Sequence, residues 1–489
     1  MYKLLILPAG ITREVPPGQS LMSALRDNHI FLDTPCGGNG TCKKCKVLVD
    51  GAEVLACQTT VERDLAVTVP EDTGLNVLQA GIPAEQEELR PVRPGYLLAF
   101  DIGTTSVVCF LLDPANGTEL ARSSMRNPQT AFGADVVSRI QSALCGELEQ
   151  QTDAIRRGMT ARIQAVCRNA RIRPEEIGVV SVVGNPAMQQ LFLGISPKNL
   201  AGVPFAPVLT EAKHIPCADY LPVCPHAELL VIPDISGYIG ADTMGCILST
   251  RLYQREELTL MVDIGTNGEM VLGNRDRMVA CSTAAGPALE GANIQFGMRG
   301  TDGAIDHVWL ENGAVTYSVI GGGEAKGICG SGIIDAVATG LNMGLLNKRG
   351  RIRNESHTFP LTEKIFLTQE DIRQVQLAKG AVYAGISLMA KQLGADIRDI
   401  QRVLLAGAFG NYLTPKSACR IGLLPHELCN KIVTVGNAAG SGAKMLACDQ
   451  ALLPLTQKLT TRTRFLELAS LAEFPKTFAK AMNFQEEPQ

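Results

Sequence analysis

The run Asp-Ile-Gly-Thr occurs twice, beginning at Asp101 and again 162 residues later at Asp263. Each copy joins two apolar runs, Leu97-Leu98-Ala99-Phe100 to Val107-Val108, and Leu260-Met261-Val262 to Met270-Val271. Apolar run, Gly-Thr tip, apolar run reads as a β-hairpin. The spacing far exceeds the roughly 20–50 residues of a solenoid repeat, so it points to two duplicated α/β halves, with strands and helices alternating from Tyr96 onward. A Gly-Thr tip offers backbone amides and hydroxyls to phosphate oxygens, and an Asp at the strand end can hold Mg²⁺. Two such turns facing each other would clamp a nucleotide's phosphates from both sides. The candidates are Asp101, Gly103, Thr104 and Thr105 in one turn and Asp263, Gly265, Thr266 and Asn267 in the other. Ordinary turns in an α/β sheet are the alternative.

Charge and composition remove several classes. Lys and Arg number 45 and Asp and Glu 49, a net charge of −4, which lacks the basic footprint of a nucleic-acid binder. No apolar run reaches the roughly 18 residues of a membrane span, and Met1–Leu7 is too short for a signal peptide and reads as a strand. Fifteen cysteines in 489 residues without a secretory signal fit a reducing cytoplasm.

Four of those cysteines crowd into 22 residues as Cys36-x5-Cys42-x2-Cys45-x11-Cys57, with Gly37, Gly38 and Gly40 in the loop. Four thiolates hold either an iron–sulfur cluster or a tetrahedral zinc. Zinc sites favour two close pairs, whereas here three cysteines share one loop and the fourth is distant. The pattern resembles a 2Fe-2S ferredoxin domain, adrenodoxin-like in its first interval. Tyr2–Leu7 with Thr12–Val15 as a hairpin, a helix from Ser20 to Asn28 and a strand at Lys46–Val49 agree with that resemblance, which implies a β-grasp fold.

Two further elements follow the turns. Val403–Ala406 is a buried strand running into Gly407-Ala408-Phe409-Gly410, and Gly436–Ala443 places small residues at a helix start. In this order the four elements resemble the superfamily of acetate and sugar kinases, heat-shock chaperones and actin. That resemblance implies a two-lobed ATPase with RNase H-like halves. It carries Asp101, Thr104, Thr105, Asp263, Thr266 and Asn267 to phosphate and Mg²⁺, and Gly407, Ala408 and Phe409 to the adenosine of ATP. Gly330, Ser331 and Gly332 open a helix over Ile333–Leu341, a place suited to an anion or to simple capping. Asp242 could orient an attacking water or cap a helix, and Glu290 could line a ligand or a turn. Cys329 reads as a small core residue.

A ferredoxin domain joined to an ATPase is a narrow combination, because ATP is useful to an electron carrier only when the electron moves uphill. For one electron, 59 mV corresponds to about 1.4 kcal/mol, so an acceptor 100–200 mV below the cluster costs on the order of 2–5 kcal/mol. The architecture, with Asn127-Pro128-Gln129, Gly133–Val136, Ser138–Ile140, Gly237–Asp242 and Gly327–Gly332, resembles the reductive activators of corrinoid proteins. The resemblance implies ATP-dependent return of cob(II)amide to cob(I)amide on a corrinoid partner, and a low-potential donor such as a ferredoxin or flavoprotein. An activator of another metalloenzyme, and a redox-sensing kinase or chaperone-like ATPase, are the other readings. Residues 1–75 are assigned to the ferredoxin-like domain and 76–95 to a linker. The first lobe is 96–255, with 445–489 returning to it, and the second is 256–444. From residue 71 the chain carries Pro83, Pro91 and Pro94, and it leaves no room for the small domain that larger members use for dimer formation, so a homodimer stays open.

Overall fold

The protein is described from a computed structural model that covers residues 1–8, 10–28, 30, 32, 38, 40, 43, 45–69, 95–265 and 267–485, apart from the side chains of residues 408, 409 and 411. Residues 76–94 of the expected linker, Cys36, Cys42 and Thr266 lie outside the described residues.

Three bodies of secondary structure follow one another. In the first, β1 (Tyr2–Leu7) and β2 (Ile11–Val15) form the expected hairpin, followed by α1 (Leu21–Asp27), β3 (Lys46–Val49), β4 (Ala52–Leu55) and β5 (Leu65–Thr68). The sheet order is β2-β1-β5-β3-β4, with β1 and β5 parallel and the other pairs antiparallel. Ser20 caps α1 by accepting the Ser23 amide at 3.1 Å. Leu21 and Leu25 of α1 then close over Leu4, Ile6, Val47 and Val67. This is a β-grasp: a helix laid on a mixed sheet.

The first lobe comprises β6 (Tyr96–Ile102), β7 (Ser106–Leu112), β8 (Glu119–Arg126), α2 (Val136–Ser142), α3 (Leu148–Ala170), β9 (Ile177–Gly184), α4 (Pro186–Leu193), β10 (Lys213–Pro216), β11 (Glu228–Val231) and α5 (Ala241–Ser249). The second begins with β12 (Thr259–Ile264), β13 (Gly268–Gly273) and β14 (Met278–Thr283). A small sheet of β15 (Ala304–Glu311), β16 (Ala314–Val319) and β17 (Gly327–Ile328) precedes α6 (Gly330–Asn342). After the hairpin of β18 (Thr358–Pro360) and β19 (Phe366–Thr368) come α7 (Gln369–Gln392), β20 (Arg402–Ala406), α8 (Gly407–Tyr412), α9 (Pro415–Ile421) and β21 (Ile432–Gly436). The chain ends in α10 (Ala438–Cys448), α11 (Leu452–Arg462), β22 (Thr463–Phe465) and α12 (Phe474–Ala481).

The two large sheets run β8-β7-β6-β9-β11-β10 and β22-β14-β13-β12-β20-β21. In each, an antiparallel three-strand meander is followed by two parallel strands, so the lobes repeat one topology. The strands read as unbroken apolar runs because both faces are covered. Leu97 and Ala99 face a core layer between the two sheets, while Leu98, Phe100 and Ile102 face the outer core of the first lobe. In β12, Met261 joins the same middle layer and Leu260, Val262 and Ile264 face the core of the second lobe.

Helices α5 and α10 fill that middle layer and cross at glycines. A Cβ on Gly442 would lie 2.2 Å from the Gly245 carbonyl oxygen, so only glycine permits the approach. Ser249 Oγ donates to the Ala438 carbonyl at 2.8 Å and fixes the crossing. No described helix is long and apolar enough to cross a membrane.

The path of the C-terminus differs from expectation. Helices α10 and α11 lie against the first lobe, where Gln457 Nε2 donates to the Thr210 carbonyl at 2.9 Å. Beyond them β22 joins the second sheet beside β14, and Leu466, Leu468 and Phe484 enter the second lobe's core. The exposed edge of β14 and the open flank of α7 account for this: each has a surface to cover, and β22 and Phe484 cover them.

Lys379 of α7, only 1% exposed, donates to the Asn483 carbonyl and sits 5.1 Å from the centre of the Phe484 ring. Burial pulls its pKa down to about 7. An unfolded chain keeps that proton up to the usual lysine range, about 10.4, whereas the folded chain releases it near 7. Between those values the unfolded state holds more protons, so stability climbs with pH, by on the order of a few kcal/mol over the whole window. Urea unfolding at pH 7 and pH 9.5 should show that rise in the wild type and a flatter profile in Lys379→Met. Parallel profiles would assign the pH dependence elsewhere.

Candidate functional site

Asp101 and Asp263 are the last residues but one of β6 and β12, each followed by the Ile that leads into its Gly-Thr tip. Both hairpins close on the backbone: Gly103 N–H donates to the Ser106 carbonyl at 2.9 Å and Gly265 N–H to the Asn267 carbonyl at 2.8 Å. The tips face each other across the lobes. Thr105 Oγ1, from the first, donates to Glu290 Oε2 at 3.3 Å. Glu290 Oε1 in turn lies 3.5 Å from where a Cβ on Gly265 would stand, so one carboxylate touches both turns. Asn437, at the start of α10, donates to Asp101 Oδ2 at 2.9 Å and ties the second lobe to the first turn. Asn185, capping α4, donates to Thr104 Oγ1 at 3.2 Å.

Carboxylates crowd the space between the turns. Burial and then Asp242 and Asp101 push the Asp263 pKa up to about 7. Burial pushes Asp101 up to about 7 as well, against the Asn437 hydrogen bond and with the help of Asp242. Asp242 rises to about 6, chiefly through burial. Glu269 and Asp234 go well above the usual carboxylate range, again through burial first and the neighbouring acids second. Neither carboxylate oxygen of Asp234, which is 1% exposed, has a hydrogen-bond partner among the described residues. Clustered acids of this kind repel one another when ionised, and a divalent cation relieves both the repulsion and the missing partners. The donor set therefore fits Mg²⁺, which Asp101 and Asp263 would hold beside turns whose amides suit phosphate oxygens.

The sequence-predicted residues fall out as follows. Asp101, Gly103, Thr104, Thr105, Asp263, Gly265 and Asn267 stand at or within the two tips. Asp242 lies inside the first turn of α5, whose capping position is Gly240, so the helix-cap alternative does not hold; its Oδ1 accepts the Thr243 amide at 2.7 Å. Gly330, Ser331 and Gly332 form the first turn of α6 and are all buried. A Cβ on Gly332 would meet the Ile305 carbonyl oxygen at 2.4 Å, so that glycine also serves the packing of α6 on β15. The turn expected after β20 is the short helix α8, and Gly407, at φ +83°, lies against the Asp263 carboxylate. Cys329 is a buried residue ahead of α6.

Glu269 and Asp234 escaped the sequence reading. Glu269 had a signal: it pairs directly with Asp263 across the second hairpin, where the first hairpin pairs Asp101 with Val108. An acid placed symmetrically about a Gly-Thr tip, on the same sheet face as the first, marks the second hairpin as the richer in charge.

In the β-grasp body, Cys45 precedes β3 and its carbonyl accepts the Ala56 amide at 2.9 Å, one residue before Cys57. The backbone thus brings the third and fourth cysteines together. Gly38, at φ +95°, rests on this corner: a Cβ there would lie 3.8 Å from that of Cys57 and would collide with Met22 of α1. Gln58 Nε2 donates to the Gly38 carbonyl at 3.2 Å and so ties the loop to the fourth cysteine. A backbone corner that brings Cys45 and Cys57 together beside Gly38 fits an iron–sulfur cluster, to which small residues allow close backbone approach.

Comparison with known proteins covers almost the whole chain. Residues 5–66 match the 2Fe-2S iron-sulfur cluster binding domain, 96–255 the RACo middle region, and 257–489 the C-terminal domain of RACo, the ASKHA domain. The corrinoid activation enzyme RamQ of Eubacterium limosum is 38% identical over 426 residues, 81% of this chain and 71% of its own length. The Co(II) methylated amine-specific corrinoid protein reductase of Methanosarcina barkeri is 28% identical over 73% of this chain and 71% of its own. Among solved structures, the reductive activator for corrinoid, iron-sulfur protein superposes over 99% of this chain and 98% of its own, with a TM-score of 0.73 and 29% identity.

Proposed function

This chain belongs to the RACo family, and from that membership we propose that it is an ATP-dependent iron–sulfur reductase that reactivates a corrinoid protein. The observation that carries the reading is the union, in one chain, of a cysteine corner suited to a cluster and a cleft with two facing phosphate turns. The 2Fe-2S cluster, when bound by Cys36, Cys42, Cys45 and Cys57, supplies a one-electron reductant, and cob(II)amide gains that electron to become cob(I)amide. Asp101 and Asp263 would hold Mg²⁺, and Gly103, Thr104, Thr105, Gly265, Thr266 and Asn267 would cradle the phosphates of ATP. Asp242 orients water, and Glu290 leaves its bridging position as the phosphates enter. Binding energy from the closed cleft then favours the partner's reduced state, which makes the uphill step spontaneous. A low-potential ferredoxin or flavoprotein reloads the cluster.

The test separates two events. With a chemical donor of fixed potential, the cluster should bleach without nucleotide, whereas cob(II)amide on the corrinoid partner should be reduced only when ATP and Mg²⁺ are present. Equal rate and extent of cob(II)amide reduction without nucleotide would remove ATP as the driver and favour a sensor or kinase. ATP turnover stimulated by a sugar or acid, and not by the corrinoid protein, would do the same.

A further inference from the structure

The β-grasp body is not free of the first lobe: Arg26, in the last turn of α1, reaches across to it. Its Nη2 donates to the Ala131 carbonyl, its Nη1 lies 3.4 Å from Glu147 Oε1, and its guanidinium stacks 5.1 Å from the centre of the Phe132 ring. The side chain is 17% exposed, and its buried Nε has no hydrogen-bond partner among the described residues. Burial of a guanidinium with one donor unsatisfied carries a desolvation cost that offsets much of the ion pair, as suits a contact that opens and closes.

The receptor for Arg26 is wired to the first phosphate turn by two routes. Ala131 ends a short 3-10 turn, Pro128–Ala131, capped by Asn127. Asn127 Nδ2 donates to the Gly103 carbonyl at 2.8 Å, and its backbone N–H to the Thr105 carbonyl at 2.9 Å. Glu147 lies in the wide turn between α2 and α3, where Gly146 at φ +103° breaks the helix, and its Oε2 accepts from Ser142 Oγ at 2.6 Å. Gln151 Nε2 donates to Ser142 Oγ and to the Arg139 carbonyl, both at 3.0 Å. Arg139, fully buried, donates from Nη2 to the Thr104 carbonyl at 2.5 Å. The carbonyls of Gly103, Thr104 and Thr105 are thus all held by the segment that receives Arg26.

The docking face also adjoins the cysteine loop. Met22 and Arg26 stand four residues apart and share one face of α1, and Gly38 rests on Met22.

We propose that Arg26 is a clasp by which the ferredoxin-like domain docks on the first lobe, and that docking and nucleotide binding at the first phosphate turn strengthen each other. The partner for this surface is the chain's own cluster domain, and the coupling rests on the nucleotide reading of the cleft. Docking orders the 127–151 segment, that segment fixes the turn's carbonyls, and a turn already fixed binds phosphate with less ordering to do. Reciprocity then requires nucleotide to favour docking by the same factor.

Adenylyl imidodiphosphate with Mg²⁺ is the probe, added to the full chain with its cluster loaded. Nucleotide Kd is measured by calorimetry and docking by hydrogen exchange of residues 21–28, in the β-grasp body. In the wild type, nucleotide should increase protection of residues 21–28. Arg26→Glu and Glu147→Lys should each weaken nucleotide binding about fivefold or more, the lower end of typical coupling. The double variant exchanges the two charges and re-forms an ion pair at the same contact, so it should bind nucleotide no more weakly than either single one. Unchanged visible absorbance of the cluster in Arg26→Glu certifies that its domain folds, and Glu147→Lys reaches the same contact from the other lobe. Normal Kd in both variants overturns the coupling alone. Equal exchange at residues 21–28 in the wild type and Arg26→Glu overturns the docking. A wild-type chain that binds no nucleotide overturns the reading of the cleft, and the coupling with it.

Discussion

Asp263→Ala is expected to bring ATP turnover down by on the order of a thousandfold, because a metal-held phosphate site loses several kcal/mol of charge stabilisation with its ligand. Asp263 stands where Asp101, Asp242 and Glu269 all act on it, and the Gly407 backbone approaches it too closely for any side chain. Burial and the neighbouring acids push its carboxylate up to about 7, so a divalent cation bound there would displace protons. Removing one acid also relieves repulsion among the rest. The variant should therefore fold at least as well as the wild type, and lost turnover will report chemistry and not stability. Asp101→Ala should behave alike and in addition free Asn437. Turnover is followed as phosphate release, with iron content and visible circular dichroism as the check on the cluster domain. Wild-type turnover in both variants would reject this cleft as the nucleotide site.

Cys57→Ala is expected to abolish the cluster and all cob(II)amide reduction while ATP turnover at saturating nucleotide persists. A 2Fe-2S cluster takes four protein ligands, and the chain offers one set at this spacing. Wild-type protein purified without oxygen should hold about two irons per chain, the stoichiometry of that cluster type. The lobes carry their own cores and Cys57 packs with the β-grasp core alone, so the loss should stay local. Zinc without iron in the wild type would replace the cluster with a structural metal. Undiminished cob(II)amide reduction in Cys57→Ala would show that the electron takes another route.

What the sequence disclosed was whatever is written in local chemistry. The Gly-Thr tips needed glycine and threonine where the strand reverses, and the flanking runs were apolar because each sheet is covered on both sides. The helix at Leu21 was announced by Ser20, and the hairpin of β1 and β2 by the apolar run Tyr2–Leu7 with the short segment that follows it. Features made by distant segments were silent. Asp234 is an ordinary acid in Pro233-Asp234-Ile235 until the fold buries it with no hydrogen-bond partner among the described residues. Arg26 reads as a solvated charge at a helix end until Phe132 arrives from more than a hundred residues away. Glu290 stood undecided between a turn and a ligand, and only the meeting of the two lobes puts it against Thr105. The route of residues 463–484 depended on which sheet edge lay open, which no local pattern states.

The crossing of α5 and α10 has a mechanical meaning. Helices that interlock through side chains resist turning, since knobs must leave their holes before either can rotate. At Gly245 and Gly442 backbone runs on backbone, with nothing projecting into the path. Such a contact is a bearing: it takes load along the line between the helices and offers little friction to rotation about it. The Ser249 and Ser181 hydroxyls, which donate to the Ala438 and Ala443 carbonyls, act as stays that stop the helices sliding lengthwise. A methyl group at Gly442 would stand 2.2 Å from the Gly245 carbonyl oxygen and wedge the two helices apart, so the damage would fall first on the seating of the whole middle layer.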